Sequence, residues 1–205
     1  MNAPAQGTQE WLSERAGCAT ASRFSDVLAT IKTGEAASRR SYRMQLVTER
    51  LTGNPVQGYT NAAMVWGTET EPYAREAYEA HTGNLVTQTG FIKHLFVPWC
   101  GASPDGFIEG DGLVEIKCPE STTHLEWMES GKVPAKHVPQ IQGQMWVTDR
   151  QWCDFVSYDP RFPPNLQLFI VRVPRDDSYI KTMEAEVKDF LAGVDEMVQK
   201  LLARK

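Results

Sequence analysis

The stretch Ser103–Pro119, "SPDGFIEGDGLVEIKCP", places two acids and a lysine around a glycine-rich turn. Successive side chains of a strand alternate faces, so Glu115 and Lys117 share one face while Ile116 points to the other, toward a core. A hairpin turning near Gly110–Gly112 returns Asp105 to the side of Glu115. Two carboxylates then converge with an ammonium group close by. Carboxylate oxygens are hard ligands that suit Mg²⁺, which takes one or two of them and completes its shell with water and phosphate oxygens. Such a group fits phosphodiester hydrolysis, with Lys117 placed to orient or deprotonate the attacking water or to neutralise charge building on the phosphate. The bland alternative is an exposed hairpin with an ordinary Glu–Lys ion pair, worth about 0–1 kcal/mol.

Outward from the hairpin, the pattern predicts a mixed α/β fold, a central β-sheet flanked by helices. Strands are expected at Val86–Lys93, at Trp99–Ile108 with a break near Pro104, and at Leu113–Cys118. A helix over Ser121–Ser130 and another over "AKHVPQIQGQMWVTD" follow, then strands in "QWCDFVSYDP" and "LQLFIVRVPR". On the N-terminal side, Gly7–Ile31 reads as a turn followed by a helix capped by Thr20 or Ser22. A second helix runs over Arg40–Leu51, stopped by Thr52 and Gly53. In a third helical segment Pro72 suits a first turn or a kink better than an interior position, which sets Glu71 at or near a helix start. The chain closes with an amphipathic helix, Ser178–Lys205, whose apolar stripe is Ile180, Met183, Val187, Leu191, Val194, Val198 and Leu201.

The 205 residues read as one unit with no linker or repeat, and 41% hydrophobic content is ordinary for a globular chain. Apolar runs fall short of the roughly 20 residues of a spanning helix, and "MNAPAQGTQEW" lacks a signal pattern, so the expectation is a cytoplasmic protein without membrane contact. Cys18, Cys100, Cys118 and Cys153 form no CxxC pair, and His81, His94, His124 and His137 show no ligand spacing, so no zinc site is expected. The net charge of −5 points away from nucleic acid by itself, but a site for divalent cations must itself be acidic. Basic residues cluster in "SRRSYR", Ser38–Arg43, where Arg39, Arg40 and Arg43 are candidate contacts to backbone phosphates.

The "SPDG…EIKCP" pattern resembles the PD-(D/E)xK nuclease signature, and within that superfamily the chain is similar to the phage lambda exonuclease family of alkaline exonucleases. Matching blocks, in order, are "WLSERAGCATASRFSDVL" (11–28), "WGTETEPYAR" (66–75), "SPDGF", "EIKCP", "HVPQIQGQMWVT" (137–148) and "YDPR" (158–161). The resemblance implies a restriction-endonuclease-like core and two Mg²⁺ ions, with Mn²⁺ as substitute, held by Asp105, Glu115 and the Ile116 carbonyl. It further implies active-site roles for Lys117, for Gln140, with Gln142 and Gln144 as rivals for that place, and for Glu71, with a structural cap as its rival role. A pocket for the 5′-phosphate of the recessed strand falls on Arg15, Ser22 and Ser103. Met64 lies near the family's apolar wedge at the duplex end. A ring-shaped homotrimer on linear double-stranded DNA and a single-strand annealing partner come with the same resemblance. The activity implied is Mg²⁺-dependent 5′→3′ degradation of one strand, leaving 3′ overhangs. A superfamily endonuclease that also cuts closed circles and a catalytically silent DNA-binding module are the alternatives.

Overall fold

The computed structural model describes residues 4–56, 58 and 60–204. Helix α1 (Gln9–Arg15) opens the chain where only a turn is expected; Thr8 caps it, its side chain accepting from the Trp11 N–H at 3.3 Å. The helix expected after Thr20 or Ser22 is much reduced. Strand β1 (Ala19–Thr20) leads into a 3₁₀ turn, Ala21–Arg23, and a four-residue helix, α2 (Phe24–Val27). Thr20 makes no capping bond, because it belongs to the strand and its hydroxyl meets Ser22 Oγ at 3.2 Å.

Helix α3 (Ala37–Thr52) stops at Gly53, which takes the left-handed conformation a side chain would resist. Helix α4 (Ala62–Thr82) corrects the placement of Pro72 and Glu71. Its cap is Asn61, whose side chain accepts from the Met64 N–H at 2.9 Å, so both residues lie in the helix interior. An interior proline removes one helical hydrogen bond and costs about 3 kcal/mol. Pro72 is exposed, so water reaches the freed carbonyl, and burial of Ala74 and Tyr78 on the inner face offsets the loss.

The two predicted strands ahead of the hairpin are each divided. Val86–Thr87 (β2) and Ile92–Lys93 (β3) separate around Thr89–Gly90, and Cys100–Ala102 (β4) and Gly106–Ile108 (β5) separate at Pro104, whose missing N–H cannot serve a ladder. Next come β6 (Gly112–Lys117), α5 (Ser121–Ser130), a 3₁₀ turn at Ala135–His137, α6 (Val138–Thr148), β7 (Trp152–Tyr158), β8 (Leu168–Pro174) and α7 (Asp177–Leu202). One sheet has the order β2-β5-β6-β7-β8 and a smaller one β1-β4-β3. Strands β6 and β7 are parallel, and α5 and α6 form the crossover this requires, while the other pairs of the larger sheet are antiparallel.

The mixed α/β fold expected from the sequence is therefore present, with its strands shared between two sheets. Helix α4 packs Ala74 and Tyr78 with Ile108, Val114, Ile116 and Val156, on one face of the larger sheet. On the other face Trp127, Ile141 and Met145 meet Leu113, Cys153 and Phe155. The stripe of α7 packs with Tyr42 and Leu46 of α3; Ile180 to Val194 are buried, and Val198 and Leu201 partly so. The expected helix end, Lys205, lies outside the described residues. Cys18, Cys100 and Cys153 are buried free thiols, and Cys118 is a half-buried one.

Candidate active site

The β5–β6 hairpin pairs Gly106 with Val114, which sets Asp105 across from Glu115 as the sequence spacing implies. Asp105 Oδ2 accepts the Ile116 N–H at 2.7 Å. Glu115 is fully buried on the face of β6 shared with Leu113, among the side chains of α6. A carboxylate in such surroundings is costly unless donors surround it. Gln140 Nε2 donates to Oε1 and Gln144 Nε2 to Oε2, each at 2.6 Å, and Lys117 Nζ also pairs with Oε1. The i, i+4 spacing of the two glutamines puts them on one helix face, interleaved with the apolar pair Ile141 and Met145. Gln142 is turned elsewhere: its amide donates to the Pro174 carbonyl and accepts from the Asp176 N–H, both at 2.9 Å.

A cavity of about 640 Å³ opens beside this group, with Met64 and Glu71 of α4 on one wall, Asp105 and Lys117 at its floor and Lys136 and His137 opposite. Burial raises the Asp105 carboxyl well above the usual carboxylate range, with the charge of Glu115 next and that of Glu71 behind it. Burial works against the Lys117 ammonium, yet Glu115 and then Asp105 hold it charged, above the ordinary lysine range. Burial, and then Lys117 and Lys136, lower His137 to about 3, so its ring is neutral. Glu71 donates nothing and accepts from Arg75 at 3.0 Å. Met64 is 53% exposed at the cavity wall and is not core filler.

The 5′-phosphate candidates sit beside this floor. The Arg15 guanidinium lies 3.8 Å over the Trp11 ring, and Trp11 Nε1 donates to Ser103 Oγ at 3.0 Å, two residues before Asp105. Arg15 Nε is buried without a partner among the described residues, and burial lowers the Arg15 pKa. Ser22 is exposed and, among the described residues, has no hydrogen bond to this group; its hydroxyl meets Thr20 Oγ1 at 3.2 Å. The basic cluster is largely engaged within the chain. Arg39 pairs with Asp189 at 3.1 Å and Glu186 at 3.4 Å, Arg43 pairs with Glu35, and Arg40 is exposed.

Sequence reasoning left Gln144 only as a rival of Gln140 and passed over Trp11. The helical spacing of two glutamines toward one strand acid was a signal for the first; nothing local marks Trp11 as the support of Arg15.

The donor set suits a divalent ion. Among the described residues no three His, Cys, Asp or Glu side chains converge as a ready cluster. Two facing carboxylates do, and Asp105, raised first by burial and next by the charge of Glu115, stands where a cation would balance that charge. No helix among the described residues is long and apolar enough to cross a membrane.

Residues 10–151 match the YqaJ-like viral recombinase domain. No curated protein sequence matches the chain. The crystal structure of LHK-Exo in complex with dAMP shares 46% identity over 95% of this chain and 96% of that one, with a TM-score of 0.89. That of LHK-Exo, an alkaline exonuclease from Laribacter hongkongensis, shares 46% identity over the same proportions with a TM-score of 0.87. A phage-related exonuclease from Haemophilus somnus 129PT, 15% identical over 90% of this chain and 96% of that one at a TM-score of 0.70, shares the fold. The chain belongs to the YqaJ-like viral recombinase family, lambda-exonuclease-like proteins with the nuclease role of the alkaline exonucleases.

Proposed function

We propose that the chain is a Mg²⁺-dependent exonuclease that degrades one strand of linear double-stranded DNA in the 5′→3′ direction from 5′-phosphorylated ends. It leaves 3′ single-stranded overhangs for a strand-annealing partner. The observation that carries this reading is the facing of Asp105 and Glu115 across a hairpin, with Lys117 beside them, where Asp105 and Lys117 line an open cavity and Glu115 is buried behind them. Asp105, the Oε1 oxygen of Glu115 and the Ile116 carbonyl would hold two ions, with Glu71 at the cavity wall; Mn²⁺ offers the same chemistry. Bound Mg²⁺ supplies charge neutralisation and water activation.

The residues of the chain do the rest. Lys117, held as a cation, donates to a phosphate oxygen as negative charge grows on it. Gln140, released from Glu115 Oε1, offers an amide to the water or the scissile phosphate. Arg15, kept flat by Trp11, and the hydroxyls of Ser103 and Ser22 receive the 5′-phosphate. Met64 stands on α4 where an apolar side chain can press against the end base pair. The dAMP in the LHK-Exo complex is a nucleoside 5′-monophosphate, the product class of such a reaction. A ring-shaped homotrimer acting in the cytoplasm completes the reading, on the resemblance to the lambda exonuclease family.

Digestion with Mg²⁺ of linear duplexes bearing 5′-phosphate or 5′-hydroxyl ends, beside a closed circle of the same sequence, tests it. Rapid loss of one strand from phosphorylated ends, slower loss from hydroxyl ends and an intact circle are expected. Cutting of the circle overturns the reading in favour of an endonuclease, and no cutting at all in favour of a silent binding module.

A further inference from the structure

Glu115 has two oxygens in different surroundings. Oε1 meets Lys117 and Gln140, both half-buried. Oε2 meets Gln144 Nε2 at 2.6 Å, and Gln144 is 1% exposed. Gln144 also carries an Oε1 with no partner among the described residues. A buried amide oxygen without a partner costs stability, so this glutamine is kept for the donor that it turns to Glu115 Oε2. The same helix offers a contrast in Gln142, whose amide is satisfied at both ends by backbone near β8 and α7 and does not touch the acid.

We infer that Gln144 is a positioning residue: it fixes Glu115 through Oε2 so that Oε1 alone is presented to a divalent cation. This rests on the metal-dependent reading given above and extends it to a residue outside the ligand set. Donors that orient a ligating carboxylate typically matter by 10–100-fold in metal affinity. Lys117 lines the cavity and Gln140 is half-buried, so both can leave Oε1. Gln144, enclosed by the core, holds Oε2 throughout.

The test uses the full chain, freed of metal by chelation, with Mn²⁺ and Mg²⁺ titrated calorimetrically in the absence of DNA. Gln144→Met keeps size and removes both the donor and the unpaired oxygen. It is expected to bind either ion roughly 10–100-fold more weakly. Loss of the donor to Oε2 and removal of the unpaired oxygen act in opposite senses on the melting temperature in chelator, which is read only to show that the variant folds. Gln142→Met is the structural control: a melting temperature lower by roughly 2–4 °C and unchanged metal affinity. Gln144→Leu, read in the same way, serves if the methionine variant does not fold. Wild-type affinity in a folded Gln144 variant overturns the inference and leaves the functional reading standing. A wild-type protein that takes up neither ion overturns both.

Discussion

The Asp105 carboxylate accepts the Ile116 N–H at 2.7 Å, one step beyond the last backbone pair of the hairpin, Gly106 with Val114. The N–H and C=O of a strand residue leave on the same edge, so the Ile116 carbonyl also faces the side where β5 has ended. Where backbone pairing stops, an acid side chain takes the donor and a carbonyl is left for other use. Asp105→Asn keeps this shape and removes the charge. Activity on linear duplex DNA is expected to fall on the order of 10³-fold or more.

The same variant has a pH signature in chelator. Burial, followed by the Glu115 charge, raises Asp105 above its ordinary value, so the folded state retains a proton that the unfolded chain has released. That contribution to stability is complete below the ordinary carboxylate pKa of about 3.9 and is lost as pH rises through the folded value. Asparagine has no such charge. Metal-free Asp105→Asn should therefore melt at or above the wild-type temperature at neutral pH and show a flatter decline with rising pH in thermal scans.

Gln140 differs from Gln144 in what it touches. It shares Glu115 Oε1 with Lys117 and, on the proposed metal binding, would compete with a cation for that oxygen. Gln140→Ala should keep or slightly tighten Mn²⁺ affinity while kcat on duplex DNA falls roughly 10–100-fold through loss of a donor in the transition state. Weaker metal binding in this variant would move Gln140 into the supporting role assigned to Gln144.

Much of this site was legible in the sequence because it is local. A glycine-rich turn fixes the register that brings Asp105 to Glu115, and strand alternation fixes the shared face of Glu115 and Lys117. Distant or masked signals were not legible. Pro72 marks a helix start in most contexts, but Asn61 caps α4 well upstream and tertiary burial of Ala74 and Tyr78 carries the helix through. The strands before the hairpin divide between two sheets because Gly90 and Pro104 interrupt them, and β-propensity does not say which sheet a short strand joins. The ion pairs of Arg39 with Glu186 and Asp189 span about three quarters of the chain, beyond any window of sequence pattern.

The "YDPR" block forms a joint between the sheet and α4. Buried Asp159 accepts from Arg161 Nε at 2.7 Å and from Ser121 Oγ at 2.7 Å, and the Arg161 guanidinium lies 4.6 Å over the Trp66 ring. Burial acts to raise Asp159, but the hydrogen bonds of Arg161 and Ser121 prevail and hold it below the ordinary range. Its contribution is present above the unfolded pKa of about 3.9 and lost as pH falls through the folded value. Arg161→Ala leaves a buried carboxylate short of donors. A loss of roughly 1–3 kcal/mol at neutral pH and an acid-unfolding midpoint moved to higher pH are expected from denaturant titrations.

Loss of Arg15, the charged member of the proposed 5′-phosphate pocket, should change preference for chain ends. Its Nε has no partner among the described residues, and Trp11 fixes its plane beside Ser103. A charge-assisted bond is worth about 1.5–3 kcal/mol, so Arg15→Ala should narrow the rate advantage of 5′-phosphoryl over 5′-hydroxyl ends by roughly 10–100-fold. An unchanged ratio would place the phosphate elsewhere.

Among the described residues the basic cluster separates into one cation without an ion pair and two engaged ones. Arg40 is exposed, whereas Arg39 is neutralised by Glu186 and Asp189 and Arg43 by Glu35. An arginine already paired within the chain releases fewer counterions on meeting a phosphate, since its acids must be vacated first. Arg40→Ala is therefore expected to lower the slope of log K against log salt by about 1 with little change in melting temperature. Arg39→Ala should leave the slope near wild type and lower stability, because it removes two ion pairs between α3 and α7. Filter-binding or anisotropy titrations at several salt concentrations distinguish the two, and an equal change of slope in both variants would show that the ion pairs with α7 open when DNA binds.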